Sequence, residues 1–159
     1  MSGKSNDIFF EVLTDINSIL TILNEFSDSL DSLRKGYEFR KAMAIKFSHN
    51  AKFLTINKDE EEVLGFAAFY CNDKSSLTAY LSMIAIKGEF RKLGYGKYLF
   101  DKIVEISLHN HMQTIKLEVN RNNISALSFY KALGFIEESQ SEKSIYLRKH
   151  IMQGEHACE

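Results

Sequence analysis

The sequence predicts an α/β protein of the α+β type, with about seven strands and about four helices. Four segments carry apolar residues at helical spacing, and the runs between them are rich in β-branched and aromatic residues. Three strands follow one another between residues 52 and 86 across short polar turns, which favours antiparallel hairpins. The chain of 159 residues is long enough to bury one core, so we expect a single domain over residues 1–150 and a tail over residues 151–159.

The first half of the chain is predicted to hold four strands and two helices. Residues 7–13 are rich in β-formers, and Asp15 is a suitable N-cap for a helix over residues 16–26. A cap at residues 31–32 is expected to begin the second helix, which continues to Phe47. The strands that follow are predicted over residues 52–57, 62–71 and 77–86.

The second half is predicted to hold two helices and three strands. An amphipathic helix follows Gly96 and ends near His109, and the alternating run 114–119 indicates a strand. Asn123 is a natural N-cap, and Gly134 a natural C-terminal stop, for the helix between them. The last two strands are predicted over residues 135–139 and 144–149.

The composition excludes several classes of function. A formal net charge of -1 provides no field that would hold nucleic acid or an acidic membrane. Two cysteines are too few for a disulfide framework, and no metal site is expected, because His109 and His111 point in different directions on a helix. The N-terminus lacks the apolar core of a signal peptide, and no apolar run approaches the length of a membrane span, so we expect a cytoplasmic protein.

The loop between Ile86 and the third helix has the properties of an anion site. The first turn of a helix presents unpaired N–H groups at the positive end of the helix dipole, and glycines such as Gly94 and Gly96 let a phosphate approach the backbone. Two common phosphate loops fail on spacing. A dinucleotide fingerprint would need a third glycine where Leu99 stands, and a P-loop would need Ser or Thr where Tyr98 stands.

Two motifs carry a resemblance to a known family. The segment Arg91–Gly96, Arg-Lys-Leu-Gly-Tyr-Gly, has the form Arg/Gln-x-x-Gly-x-Gly/Ala and resembles the acetyl-CoA pyrophosphate loop of the GNAT superfamily of N-acetyltransferases. The segment Leu117–Phe135 resembles the family's other recurrent segment, with Leu-Glu-Val, then Asn123, then Tyr130-x-x-x-Gly-Phe. The order of the upstream elements, a strand, two helices and three strands, also fits this family.

The resemblance implies a mixed, mostly antiparallel central sheet that splays between its fourth and fifth strands. Acetyl-CoA, the expected cosubstrate, would lie in that opening, and its pantetheine arm would pair with the backbone of Ile84, Ala85 and Ile86. A bulge in the fourth strand would free an N–H group to polarise the thioester carbonyl. Asn123 is expected to cap its helix and also contact the cofactor. The residues expected to hold the pyrophosphate are Arg91, Lys92, Leu93, Gly94, Tyr95, Gly96 and Lys97.

The same family pattern implies two catalytic residues. Tyr130 is the expected general acid, because a phenol with a pKa near 10 stays protonated at neutral pH and can donate to the thiolate of coenzyme A. The alternative is a core tyrosine whose hydroxyl is bonded to the backbone. Glu118 is the expected general base, acting through water, since strand alternation puts it on the face opposite to Leu117 and Val119. The alternative is a solvent-facing glutamate or an ion-pair partner.

We therefore expect an acetyl-CoA-dependent N-acetyltransferase that moves an acetyl group to a primary amine by direct transfer. The expected acceptor is a small amine, an amino sugar or a peptide N-terminus, contacted by residues 26–50 and by the last hairpin, and a homodimer is left open. The alternative is a non-catalytic acyl-CoA-binding domain with a regulatory or sensor role.

Overall fold

The computed structural model describes residues 7–152. Within that range the elements follow the order predicted from the sequence, with seven strands and four α-helices. The strands are β1 (Ile8–Leu13), β2 (Lys52–Lys58), β3 (Glu62–Tyr70), β4 (Thr78–Ile86), β5 (Thr114–Asn120), β6 (Ile136–Gln140) and β7 (Ser144–His150). The helices are α1 (Ile16–Glu25), α2 (Tyr37–Asn50), α3 (Tyr95–His109) and α4 (Ile124–Ala132), and two 3-10 helices cover Asp31–Lys35 and Gly88–Phe90.

The second helix begins later than the sequence predicted. The residues at the expected cap start the 3-10 helix Asp31–Lys35 instead of α2. Gly36 then adopts a φ of 111°, a conformation that interrupts the helix, so α2 starts at Tyr37. α2 ends at Asn50 and not at Phe47, and the limits predicted for the other helices and strands agree with the structure to within two residues.

The seven strands form one mixed sheet in the order β1-β2-β3-β4-β5-β7-β6. The pairs β1–β2, β2–β3, β5–β7 and β6–β7 are antiparallel, and β4 and β5 are parallel. The parallel pairing covers residues 78–80 and 114–116, although β4 continues to Ile86 and β5 to Asn120. The mixed, mostly antiparallel sheet and the parting of its fourth and fifth strands are therefore confirmed.

The chain divides into two compact units. Of the described residues, the first unit holds 7–69 and 83–101, and the second holds 70–82 and 102–152. The single domain expected over residues 1–150 stays a prediction.

Aromatic rings fill the core of the first unit. The edge of Phe26, which follows α1, meets Phe66 of β3 at 5.1 Å between ring centroids, and Phe66 stacks on Phe53 of β2 at 5.2 Å. Phe47 of α2 lies 6.0 Å from Phe53. All four side chains are fully buried, and each burial of this kind contributes about 1.5–3 kcal/mol. These rings therefore hold α1 and α2 against β2 and β3.

Arg40 of α2 ties three elements of the first unit together. Its Nε donates to Asn24 Oδ1 of α1 at 2.6 Å, and its Nη1 donates to the Leu33 carbonyl of the first 3-10 helix at 2.8 Å. Asp15 caps α1 as predicted, since its Oδ2 accepts from the Ser18 N–H at 2.9 Å. The positions of α1 and α2 are thus fixed by polar bonds as well as by the core.

The C-terminal end of the described chain is held in the second unit. Ile151 is buried, and its N–H donates to the Gln113 carbonyl at 2.9 Å. The predicted tail begins at this residue, and its part from 153 to 159 lies outside the described residues. None of the helices within residues 7–152 combines the length and the apolar character that crossing a membrane requires.

Candidate active site

The loop between β4 and α3 belongs to the first unit. It begins at Lys87, whose N–H donates to the Leu64 carbonyl of β3 at 2.9 Å, and it continues as the 3-10 helix Gly88–Phe90. The Arg91 guanidinium folds back, and its Nε donates to the Ile86 carbonyl at 3.1 Å. These two bonds fix the start of the loop against the end of β4.

The second half of this loop has the backbone conformation that an anion site needs. Lys92 has a φ of 64° and Gly94 a φ of 89°, which is uncommon for a lysine and unstrained for a glycine. α3 then begins with Tyr95 and Gly96, and the Tyr98 N–H donates to the Gly94 carbonyl at 3.0 Å. The N–H groups of the first turn precede this bond and have no partner inside the helix. They lie at the positive end of the helix dipole, so they can hold a phosphate.

The side chains of the loop add less positive charge than the sequence indicates. Lys97 forms an ion pair with Asp101 one turn along α3, at 3.0 Å, and this pair partly compensates its charge. Lys92 is exposed, and Leu93 is 64% exposed. The capacity of the loop to bind an anion therefore rests mainly on its backbone N–H groups.

The end of β4, residues Ile84, Ala85 and Ile86, is packed closely against Gly65 of β3. A Cβ atom at Gly65 would lie 2.5 Å from the Ala85 carbonyl oxygen and 2.5 Å from Ile86 Cδ1, so a side chain does not fit there. Burial alternates regularly along β4, and the bulge expected near Met83 or Ile84 stays a prediction.

An ion pair joins α1 to the start of the loop. Lys87 Nζ lies 2.5 Å from Glu25 Oε1, and the same ammonium lies 5.8 Å from the centroid of the Phe26 ring. The Lys87 side chain is 23% exposed and that of Glu25 is 39% exposed, so solvent screens this pair only in part. The loop is therefore anchored to α1 as well as to β3.

In the second unit, Glu118 is exposed on β5 and stands directly opposite Tyr146 of β7. A hydrogen bond to the Glu118 carboxylate raises the pKa of Tyr146. Tyr80 of β4 is on the same face of the sheet, because it pairs with Lys116 of β5. Burial, followed by the charge of Glu118, raises the pKa of Tyr80. The Glu118 carboxylate thus lies on the same face of the sheet as two phenols.

Tyr130 lies near the end of α4, between two aromatic neighbours. Its ring centroid is 5.4 Å from that of Phe129 and 5.6 Å from that of Phe135, and both contacts are edge-on. Burial raises the pKa of Tyr130 to about 12. Among residues 7–152 the hydroxyl has no hydrogen-bond partner. The alternative of a core tyrosine whose hydroxyl is bonded to the backbone is therefore not supported. The phenol is a neutral donor at physiological pH.

Asn123 caps α4 as predicted, since its Oδ1 accepts from the Ala126 N–H at 3.1 Å. At the other end Gly134 has a φ of 97°, and the Phe135 N–H donates to the Tyr130 carbonyl at 3.0 Å. Because the cap uses Oδ1, the amide Nδ2 of Asn123 is the donor that remains for a cofactor.

Sequence reasoning singled out neither Tyr80 nor Tyr146. The alternation of β5 could have pointed to them. It puts Glu118 on the exposed face of the strand, which we call the open face, and the residues paired with that face lie on the same side. The register between β5 and β7 is set by tertiary packing and not by a local motif, so the residue opposite Glu118 could not be chosen from the sequence.

A helix start suited to an anion and a mixed sheet with a parallel pair agree with the fold that the two sequence motifs imply. Residues 16–135 match the model of the acetyltransferase (GNAT) family. The match covers most of the chain, so the chain belongs to this family. The match to a curated relative spans about a fifth of that protein's length.

Part of the chain is also similar to a curated protein, and its fold is similar to that of solved structures. The chain is 30% identical over 61 residues to N-alpha-acetyltransferase 30 of Xenopus laevis, a match that covers 38% of this chain and 22% of the length of that protein. Its fold is similar to that of the PaiA N-acetyltransferase of Thermoplasma acidophilum in complex with coenzyme A, with a TM-score of 0.74, 20% identity, and coverage of 91% of this chain and 99% of that chain. The ribosomal-protein-S18-alanine N-acetyltransferase of Escherichia coli gives a TM-score of 0.74, 18% identity, and coverage of 94% and 97%.

Proposed function

We propose that this protein transfers the acetyl group of acetyl-CoA directly to a primary amine, with Glu118 as general base and Tyr130 as general acid. A peptide N-terminus is the acceptor we favour over a small amine or an amino sugar. Two of the similar proteins carry the names of an N-alpha-acetyltransferase and of a protein alanine N-acetyltransferase, which supports this choice.

The observation that carries the proposal is the position of Glu118. An α-amine has a pKa of about 7.7–8.0, so most of it is protonated at neutral pH and it must lose a proton before it can attack. Glu118 is exposed, it makes no ion pair with another residue of the range 7–152, and it stands beside the Tyr146 phenol. An accessible carboxylate of this kind can take the proton, directly or through one water molecule.

The residues of the first unit suit the donor. The backbone N–H groups between Arg91 and Lys97 would hold its pyrophosphate, and the backbone of β4 from Ile84 to Ile86 would pair with its pantetheine arm. From the second unit, Asn123 would add a contact through Nδ2. Bound acetyl-CoA supplies the acetyl group as a thioester, which the neutral amine attacks.

Tyr130 acts on the leaving group. When the carbon–sulfur bond breaks, negative charge develops on sulfur, and the Tyr130 hydroxyl donates a hydrogen bond to it. Burial raises the pKa of Tyr130 to about 12, so the phenol stays protonated at neutral pH until negative charge develops on sulfur. The protonated amine loses two protons in all. Glu118 receives the first before attack, and the second, lost after attack, replaces the proton that Tyr130 gives to sulfur, so the products are the amide and the thiol.

The test is a Glu118→Gln variant, assayed by thiol release from acetyl-CoA with peptides, small amines and amino sugars. We expect kcat/KM to fall by about 10²–10⁴-fold and the acidic limb of its pH profile to disappear. Glu137→Gln, which removes an exposed carboxylate from β6, is the matched control and should behave as wild type. An acidic limb that survives in Glu118→Gln contradicts the role of Glu118. Acetyl-CoA binding without thiol release for any amine contradicts the proposed function as a whole.

A cytoplasmic location and a homodimer stay predictions from the sequence. Cell fractionation tests the location, and sedimentation of the purified protein tests the oligomeric state.

A further inference from the structure

The open face of β5 and β7 carries positive charge beside the Glu118–Tyr146 pair. The register of these antiparallel strands places Lys116 directly opposite Arg148, two residues along each strand from Glu118 and Tyr146. Alternate residues such as Leu117 are buried on the other side of the sheet, so the four side chains share one face.

One of the two cations is compensated and the other is not. Like charges directly opposite each other on paired strands are destabilising. Lys116 Nζ lies 2.9 Å from Glu138 Oε1, where the register of β6 and β7 shifts between Glu137 and Ser139. The Arg148 side chain is half-buried, and it makes no ion pair and no hydrogen bond with any other residue from 7 to 152. A guanidinium with an uncompensated charge therefore stands beside the proposed base.

We propose that Arg148 binds an anionic group of the acceptor, so that the acceptor is an amine that also carries a carboxylate or a phosphate. This inference rests on the proposed function, because it takes Glu118 as the place where the amine loses its proton. A partly buried charge without a partner is costly, and the guanidinium fork matches carboxylate and phosphate oxygens in bidentate fashion. Residues two apart on a strand lie about 6.6–6.8 Å from each other. The anion and the amine are therefore close neighbours in the acceptor, as in an acidic amino acid or in a peptide with an acidic residue near its N-terminus.

The experiment compares matched acceptors that differ only in one negative charge. The peptide arm uses Ser-Asp-Ala-Ala and Ser-Asn-Ala-Ala, and the small-molecule arm uses free aspartate and asparagine. Each acceptor is assayed by thiol release with wild type, with Arg148→Gln, and with the control Lys149→Gln. Lys149 is the next residue of β7, and it faces the opposite side of the sheet, so this control removes the same charge away from Glu118.

For wild type we expect kcat/KM to be about tenfold or more higher for the charged member of at least one arm, and the responding arm identifies the source of the anion. Arg148→Gln should bring this ratio close to one, mainly through the KM of the acceptor, while Lys149→Gln should keep it. Raising the salt concentration should lower the ratio in wild type, which tests the charge without any substitution.

Three results would overturn the inference. The first is a wild-type ratio near one in both arms, and the second is a ratio that Arg148→Gln leaves unchanged together with the KM for acetyl-CoA. The third is a rise in the KM for acetyl-CoA in Arg148→Gln with the acceptor ratio intact, because the guanidinium would then serve a phosphate of the donor. In all three cases neutral amines are still acetylated, so the proposed function stands, whereas its own failure is the absence of thiol release with every amine.

Discussion

Replacing Tyr130 by phenylalanine removes one hydroxyl from the proposed mechanism and little else. The aromatic ring stays between Phe129 and Phe135, and among residues 7–152 no hydrogen bond of the hydroxyl is lost. We therefore expect Tyr130→Phe to fold like the wild type, so a change in its rate reports on the chemistry of the hydroxyl.

The size of the effect follows from the environment of the phenol. Burial raises the pKa of Tyr130 to about 12, so the phenol stays protonated until negative charge develops on sulfur. The hydroxyl therefore acts as one preorganised donor towards a developing anion. The loss of such a donor lowers kcat by about 10²–10³-fold, or about 2.7–4 kcal/mol.

The assay measures kcat by thiol release and the Kd of acetyl-CoA by calorimetry, with Tyr37→Phe as the control for an exposed tyrosine on α2. We expect kcat of Tyr130→Phe to fall by the stated factor, while the Kd for acetyl-CoA stays within about twofold, because the hydroxyl acts on a charge that only the reaction creates. A kcat within about threefold of wild type would remove Tyr130 from the mechanism. A basic limb near pH 9 that disappears in Tyr130→Phe would refute the argument from its raised pKa.

Three further predictions concern the fold. Gly65→Ala places a Cβ atom against the Ala85 carbonyl. Thermal unfolding should show a free energy of unfolding lower by about 1–3 kcal/mol, and calorimetry should show a weaker affinity for acetyl-CoA. Wild-type values for both quantities would contradict the close packing. Arg40→Ala removes the two hydrogen bonds that join α2 to α1 and to the first 3-10 helix. It should lower the free energy of unfolding in urea by about 1.5–3 kcal/mol. The control Lys41→Ala, at an exposed residue of α2, should change that free energy by less than about 0.5 kcal/mol. The folded pKa of Tyr130 lies above its unfolded value of 10.0, so its contribution to stability is present below pH 10 and is lost as the pH rises towards 12; denaturant titrations should show this loss, and Tyr130→Phe should reduce it.

Most of the fold could be predicted because its signals are local. Asp15 and Asn123 cap helices at the places that their short polar side chains indicated, and the alternation around Glu118 marked β5 and its open face. The interruption at Gly36 was missed, because a glycine in that position is compatible with a helix until packing imposes a positive φ. Tertiary context decided the outcome there.

The candidate site was predictable only in part, for the same reason. The loop that contains Lys92 and Gly94 is a contiguous motif, and its left-handed residues agree with an anion site. The partners of Glu118 are not contiguous with it, since Tyr146 and Tyr80 reach the same face through strand pairing. Arg148 keeps its uncompensated charge because Glu138 of β6 pairs with Lys116. The register that brings these two residues together is set by tertiary packing, so it could not be predicted from a single sequence.

The Glu25–Lys87 ion pair links the loop between β4 and α3 to a helix that is distant in sequence. Lys87 is the first residue after β4, and Glu25 is the last residue of α1. Changes near the end of α1 should therefore alter coenzyme A affinity without any contact to the coenzyme. A mutational scan of coenzyme A affinity should then find positions in α1 at which substitutions weaken binding. The Glu25–Lys87 ion pair would transmit the effect of those substitutions to the loop.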